Sequence, residues 1–326
     1  MIFSIKYPYI TLIISTILAS CTPKAEPVSN DAEVPKPPGY LCVYYGYPSL
    51  INNAKGDLKV ASTEFSKFDL IILGDGLQNT THPDHANTKT IVANLTAQKR
   101  LTFGYVDLGV STNNYSENTL RQQIDSWKQV GISGIMFDDA GFDYGVTRER
   151  QNVVIQHCRQ QNLKVMMNAW NPDDVLGGNS LMGENDYYLA ESFLVGHNKF
   201  VDLIAWKKKA DLCYQYRKTK GVKIVCLATG GENIAPNLNT SDSFSLAWTG
   251  TALYNFSYFQ MTNFLYSANN NTVYFFPNLS ESYGNTFNQA DVQKESNTHY
   301  FRSTDTHTLH IYGNGSTQGY GKISRK

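Results

Sequence analysis

Five short apolar runs each end in an acid or an amide: Leu70–Asp75 (LIILGD), Leu101–Asp107 (LTFGYVD), Gly134–Asp139 (GIMFDD), Val165–Asn168 (VMMN) and Tyr187–Glu191 (YYLAE). Runs of four to six apolar residues bounded by turn residues read as strands buried on both faces. Working outward, strand candidates start near Leu41, Phe68, Leu101, Ser133, Leu163, Tyr187 and Val222. They lie about 24–35 residues apart, the length of a β-α unit. An eighth unit fits between Ala252 and Phe276, without an obvious strand inside it. Eight such units predict an α/β fold, a (β/α)8 TIM barrel over residues 40–284. Residues 285–326 turn to Thr, Ser, Asn and Gly with short alternating runs such as Thr308–Tyr312, and read as a small C-terminal β appendage.

The intervening helices carry ordinary signals. Leu120, Ile124 and Trp127 recur at helical spacing before a stop at Gly131. Thr147 is placed to cap a helix whose buried stripe includes Val153, Val154, His157 and Cys158, with His157 a satisfied boundary histidine. Leu203, Trp206, Ala210 and Cys213 mark another helix that ends at Gly221; Lys207, Lys208 and Lys209 beside them read as a solvated face.

The first forty residues give an address. Lys6 precedes an apolar run, Tyr9–Leu18, that is too short to span a membrane. It ends in Leu18-Ala19-Ser20-Cys21, which resembles a bacterial lipobox with Cys21 lipidated. Residues 1–20 are then a lipoprotein signal peptide. Residues 21–39, holding five of the eleven prolines, form a tether of about 3 Å per residue, roughly 50 Å in all. The expected location is the cell envelope, with membrane contact through the lipid alone.

Composition narrows the partners. The 326 residues carry 28 basic and 28 acidic side chains, which argues against nucleic acid or an anionic surface as the main partner. Charged residues are only 17%, while aromatics reach 13% with 21 Tyr, a profile suited to uncharged ring-shaped ligands. No glycine-rich phosphate loop follows the first strand, so no nucleotide cofactor is expected. Cys42, Cys158, Cys213 and Cys226 lie in apolar patterns without a CxxC pair and read as buried free thiols. His82-Pro83-Asp84-His85 gathers metal-ligand types, but no companion His ends another strand, so no metal is expected. The chain is expected to act as a monomer.

In a TIM barrel the active site lies at the C-terminal ends of the strands, where the opening runs put their acids. Crowded carboxylates repel one another, a cost retained for proton chemistry. Glycoside hydrolysis needs such a pair, and ring-shaped side chains to stack on the sugar. Asp138, Glu191 and Asp139 are the candidate catalytic residues. Asp75, Asp107, Asn168, Trp170, Tyr45 and Tyr47 are candidate substrate contacts. Because residues alternate along a strand, one of Asp138 and Asp139 is expected to face the site.

The runs Gly104–Gly109 (GYVDLG) and Gly134–Ala140 (GIMFDDA) resemble the spherulin-4 (spherulation-specific) family, itself similar to the endo-α-1,4-polygalactosaminidases. The resemblance runs from about Leu41 to Tyr283 and is most specific over residues 101–191. It implies a metal-free TIM-barrel glycoside hydrolase acting on α-1,4-linked galactosamine or N-acetylgalactosamine polymers. The family's catalytic acids follow the fourth and sixth strands, matching Asp138, Asp139 and Glu191. By analogy with barrel glycosidases of this layout, Asp138 is the nucleophile or base and Glu191 the proton donor. The family motif usually reads Asp-Glu where this chain has Asp138-Asp139, one methylene shorter. Two other readings compete. A metal-dependent polysaccharide deacetylase would need the His82–His85 segment as ligands. A non-catalytic glycan-binding lipoprotein would have no need of the acid pair.

Overall fold

The computed structural model describes residues 33–230, 242–263, 270–315 and 317–326; Cys21 and the signal segment lie outside them. The doubly buried runs do form strands: β1 Gly39–Tyr44, β2 Leu70–Leu73, β3 Leu101–Asp107, β4 Gly134–Asp138, β5 Lys164–Asn168, β6 Tyr187–Ala190, β7 Lys223–Gly230 and β8 Tyr258–Asn263. Every neighbouring pair is parallel, and β8 returns to β1 through Gly39–Tyr258 and Tyr40–Phe259, closing an eight-stranded barrel. The eighth strand reads YFQMTN, and the polar Gln260 and Thr262, both buried, hide it in the sequence.

Alternation along each strand sorts its side chains into two cores. Leu41, Val43, Leu70, Ile72, Phe103, Met136, Met166, Tyr187, Leu189, Val225 and Leu227 fill the barrel. The other phase, among it Ile71, Ile135, Val165, Tyr188 and Cys226, packs outward against the helices. These are α1 Leu58–Ser66, α2 His85–Ala97, α3 Glu117–Val130, α4 Arg148–Gln160, α5 Pro172–Leu176, α6 Leu203–Lys220 and α7 Asp242–Leu253. Asp57, Ser116, Thr147 and Asp202 cap α1, α3, α4 and α6 through their side chains, as Thr147 was expected to do. Gly131 and Gly221 end α3 and α6 in the left-handed conformation that favours glycine. On α4 the buried stripe is Val154, Ile155, His157 and Cys158, with Val153 only half-buried. His157 is satisfied by Asp125 at 2.8 Å and Arg121 at 3.2 Å, and the four cysteines are buried and free.

Helix α7 is apolar around nearly its whole circumference, and such a helix must be covered on every side. The C-terminal appendage covers it: β9 Gln293–Ser296, β10 His299–Ser303, β11 His307–Asn314 and β12 Gln318–Arg325 form one antiparallel sheet in chain order. A Cβ on Gly321 would stand 2.1 Å from the Ser245 carbonyl oxygen, so only glycine lets β12 approach α7 this closely. Among the described residues no helix is long and apolar enough to cross a membrane.

The segment read as a tether is already docked at Glu33. Its carboxylate pairs with Arg217 of α6 and, at 2.8 Å, with the fully buried Arg302 of β10, and accepts from Asn255 at 2.9 Å. The Lys36 carbonyl accepts from Tyr283 at 2.6 Å. An acid with two guanidinium partners is held, so the spacer reading of 21–39 does not extend over these last residues.

Candidate active site

The strand phase decides which acids enter the barrel mouth. Met136 fills the barrel, so Asp138, two residues on, points the same way; Met166 sets Asn168 and Leu189 sets Glu191 by the same rule. Asp138, not Asp139, therefore faces the axis. The Asn168 side-chain amide donates from one nitrogen to Asp138 Oδ1 at 2.9 Å and to Glu191 Oε2 at 3.1 Å. Those two oxygens are thus no farther apart than the two bonds laid end to end, about 6 Å.

Asp138 is held from three sides, since the Tyr105 hydroxyl and the Asp139 N–H also donate to it. Burial, then the charges of Asp139 and Glu191, push its carboxyl up to about 6 despite those donors. Asp139 leaves the strand with φ 50°, a left-handed conformation rare for a non-glycine residue and common at functional sites. Burial and the Asp107 charge raise its pKa, while a hydrogen bond from Tyr144 opposes them.

These groups line a pocket of about 220 Å3 that also contains Asp143, Tyr144, Trp170 and Lys209. Trp170 stands beyond β5 with 68% of its surface exposed. A larger hollow of about 690 Å3 opens at the other pole, where the strands start. Its acids are already paired, Glu33 with Arg217 and Asp69 with Arg100, so it offers no acid pair for catalysis.

The structure brings Asp138, Asp139, Glu191, Asn168 and Trp170 into one lining, while Asp107, next to Asp138 in the strand register, and the other candidates stand outside it. Asp107 is buried and fully engaged: it accepts from the Gly109 N–H and Thr112 at 2.7 Å each and from Asn113 at 2.6 Å. It fastens its own loop. Asp75 is exposed and bonded to Gln78 at 3.1 Å, outside the pocket lining. Tyr45 lies one ring further along the mouth, edge-on to Tyr105 at 5.5 Å, and Tyr47 packs edge-on against His82 at 4.9 Å. The His82–His85 segment is an anchor at the start of α2: Asp84 accepts from Ser49 at 2.6 Å, His82 from the Asp84 N–H at 3.0 Å, and His85 meets the Leu77 carbonyl at 2.9 Å.

Sequence reasoning missed Tyr105, Tyr144, Asp143 and Lys209. Tyr105 shares strand phase with Phe103, which was legible. Lys209 is a correction to the solvated-face reading. Lys207 is paired with Asp211 and Lys208 is exposed, but Lys209, three residues after Trp206 and four before Cys213, lies on the inward stripe.

The chain matches no known family and no curated protein at a significant level, so the spherulin-4 resemblance stands on the residues quoted for it. Solved structures do resemble it. Cyclic α-maltosyl-(1→6)-maltose hydrolase from Arthrobacter globiformis shares 10% identity over 84% of this chain and 91% of its own, with TM-score 0.49. The α-amylase from Geobacillus thermoleovorans shares 10% over 90% and 97%, TM-score 0.47. A GH18 chitinase from Pseudoalteromonas aurantia shares 12% over 69% and 94%, TM-score 0.45. All three are glycoside hydrolases, but barrels of one form host many chemistries, so function is read from this chain's own site.

Proposed function

We propose that the chain is a retaining glycoside hydrolase whose acid pair is Asp138 and Glu191. The observation that carries this is the single Asn168 amide nitrogen bridging both carboxylates. The two bridged oxygens lie at most about 6 Å apart, which supports the roughly 5–5.5 Å carboxyl spacing of retaining enzymes over the roughly 6.5–9.5 Å that inverting ones keep for a water. Asp138, held by three donors, attacks the anomeric carbon as Glu191 protonates the departing glycosidic oxygen. A covalent glycosyl ester forms on Asp138. Glu191, now ionised, takes a proton from water, whose oxygen attacks the anomeric carbon and releases Asp138 as carboxylate. The resemblance over residues 101–191 supports an amino-sugar polymer of the α-1,4-galactosamine or N-acetylgalactosamine type. The lipobox at Cys21 supports tethering in the cell envelope.

The test is release of reducing ends from a panel of amino-sugar polymers by the protein starting at Thr22. Glu191→Gln and Asp138→Asn are each expected to cost about 10²–10⁴-fold while polymer binding persists. Proton NMR of the first product should show the substrate's own anomer. Because Asp138 must be ionised to attack, activity should fall as pH drops through about 6. Polymer that is bound but never cut between about pH 4 and 8 would make the chain a binding protein.

A further inference from the structure

A formal charge of zero conceals a segregation between the two poles of the barrel. The pocket at the mouth is lined by four acids, Asp138, Asp139, Asp143 and Glu191, against one base, Lys209. The hollow of about 690 Å3 at the other pole has the reverse balance. It opens among the first residues of β1, β3, β7 and β8 and carries Lys36, Lys99, Arg217 and Lys223 against Glu33 and Asp69. Both acids already have guanidinium partners, Glu33 in Arg217 and Arg302, Asp69 in Arg100. With those two further arginines, six cations stand against two carboxylates. Lys99 and Arg217 lie at the ends of α2 and α6, where the helix dipole favours a cation. Lys36 and Lys223 have no such reason, since one precedes β1 and the other opens β7. Lys36 and Lys99 are exposed, and among the described residues no hydrogen bond or ion pair engages either ammonium.

The chain joins the fold at this same pole. Glu33 and Lys36 line the hollow, and eleven residues, 22–32, separate Glu33 from Cys21. At about 3 Å per residue they reach roughly 35 Å, so a lipid on Cys21 would keep this pole near the bilayer. We infer that the basic hollow docks on the phosphates of anionic phospholipid headgroups and holds the acidic mouth facing away from the membrane. Each cation gains from the negative surface potential within about a Debye length, and the acids at the far pole are repelled by it. The inference takes its membrane from the tethering reading and uses nothing of the hydrolase chemistry.

Vesicle binding tests it on protein starting at Thr22, which carries no lipid, so the pole is measured apart from the anchor. Co-sedimentation compares phosphatidylcholine vesicles with vesicles containing about one third phosphatidylglycerol. The anionic vesicles are expected to bind at least about tenfold more tightly at about 50 mM salt, with the difference lost at about 0.5 M. Lys36→Glu combined with Lys99→Glu should abolish that preference, with thermal unfolding unchanged. Lys89→Glu combined with Lys208→Glu makes the same charge change on exposed lysines in the first halves of α2 and α6, and should leave it within about twofold. Because Cys42, Cys158, Cys213 and Cys226 are buried, an environment-sensitive dye can be placed on Val34→Cys at the hollow or on Trp170→Cys at the mouth. Only the first should respond to anionic vesicles. No preference for anionic vesicles, equal loss in both double variants, or a response from the mouth dye would overturn the docking. So would a response of the hollow dye to inorganic phosphate alone at about 1 mM, which would make the hollow a pocket for soluble anions. Cys21 found unlipidated in cells while vesicle binding persists would remove the tether and leave the docking standing; lipidated Cys21 with no vesicle binding would do the reverse.

Discussion

Asp138 shows what the site costs the fold. Its carboxyl is raised from an ordinary 3.8 to about 6, so the folded state binds its proton more tightly than the unfolded state does. That stabilisation is complete below the ordinary value and is lost as pH rises through about 6. Above that, an ionised Asp138 beside Asp139 and Glu191 burdens the fold. Asp138→Asn is therefore expected to stabilise the protein by about 1–3 kcal/mol at pH 7.5, with the gain vanishing towards pH 4; thermal unfolding at the two pH values checks this. At this scale much was legible. Asp138, Asn168 and Glu191 end apolar runs in barrel phase, and phase alone sends them to one mouth. Asp107 is claimed locally, by Gly109, Thr112 and Asn113 two to six residues on. Lys209 was hidden among three lysines, because a charge on an amphipathic helix ordinarily marks the wet face.

At the scale of elements, β3 and α3 depend on one another through Gly104. A Cβ there would lie 2.2 Å from the Trp127 ring, whose indole N–H donates to the Tyr105 carbonyl at 2.9 Å. Gly104→Ala is expected to cost about 1–3 kcal/mol in denaturant unfolding through overpacking. It should also lower activity, because the displaced neighbour Tyr105 is a donor to Asp138. The first seven strands start within two residues of where the apolar runs predict, because strands buried on both faces announce themselves by composition. The eighth escaped placement because Gln260 faces inward, its carbonyl accepting from the Val43 N–H at 2.6 Å. The unit between β5 and β6 is the shortest, and its helix α5 is accordingly a single stretch of five residues. Length, not propensity, fixed that outcome.

At the scale of the whole molecule, Arg302 joins sequence ends far apart. It is fully buried and donates to Glu33 at 2.8 Å, to the Leu253 carbonyl at 3.0 Å and to the Gln289 and Ala290 carbonyls at 3.1 Å, and its guanidinium lies 3.7 Å over the Phe287 ring. Arg302→Leu strands several of these acceptors and is expected to cost about 3–5 kcal/mol, read from the urea midpoint. Glu33→Gln should cost less, since the arginine keeps its carbonyl partners. None of this was legible: a lone Glu in a Pro-rich run and an Arg in a Thr-rich tail give no local sign of each other.

The docking of Glu33 also sets a path for force. It sits at the pole where the strands begin, and the acid pair sits where they end. Tension on the chain ahead of Glu33 is taken first by Arg217 on α6 and Arg302 on the C-terminal sheet, six residues before β1 starts. Load is thus shunted into the outer helix and the appendage, and the strands that hold Asp138 and Glu191 in register are spared it.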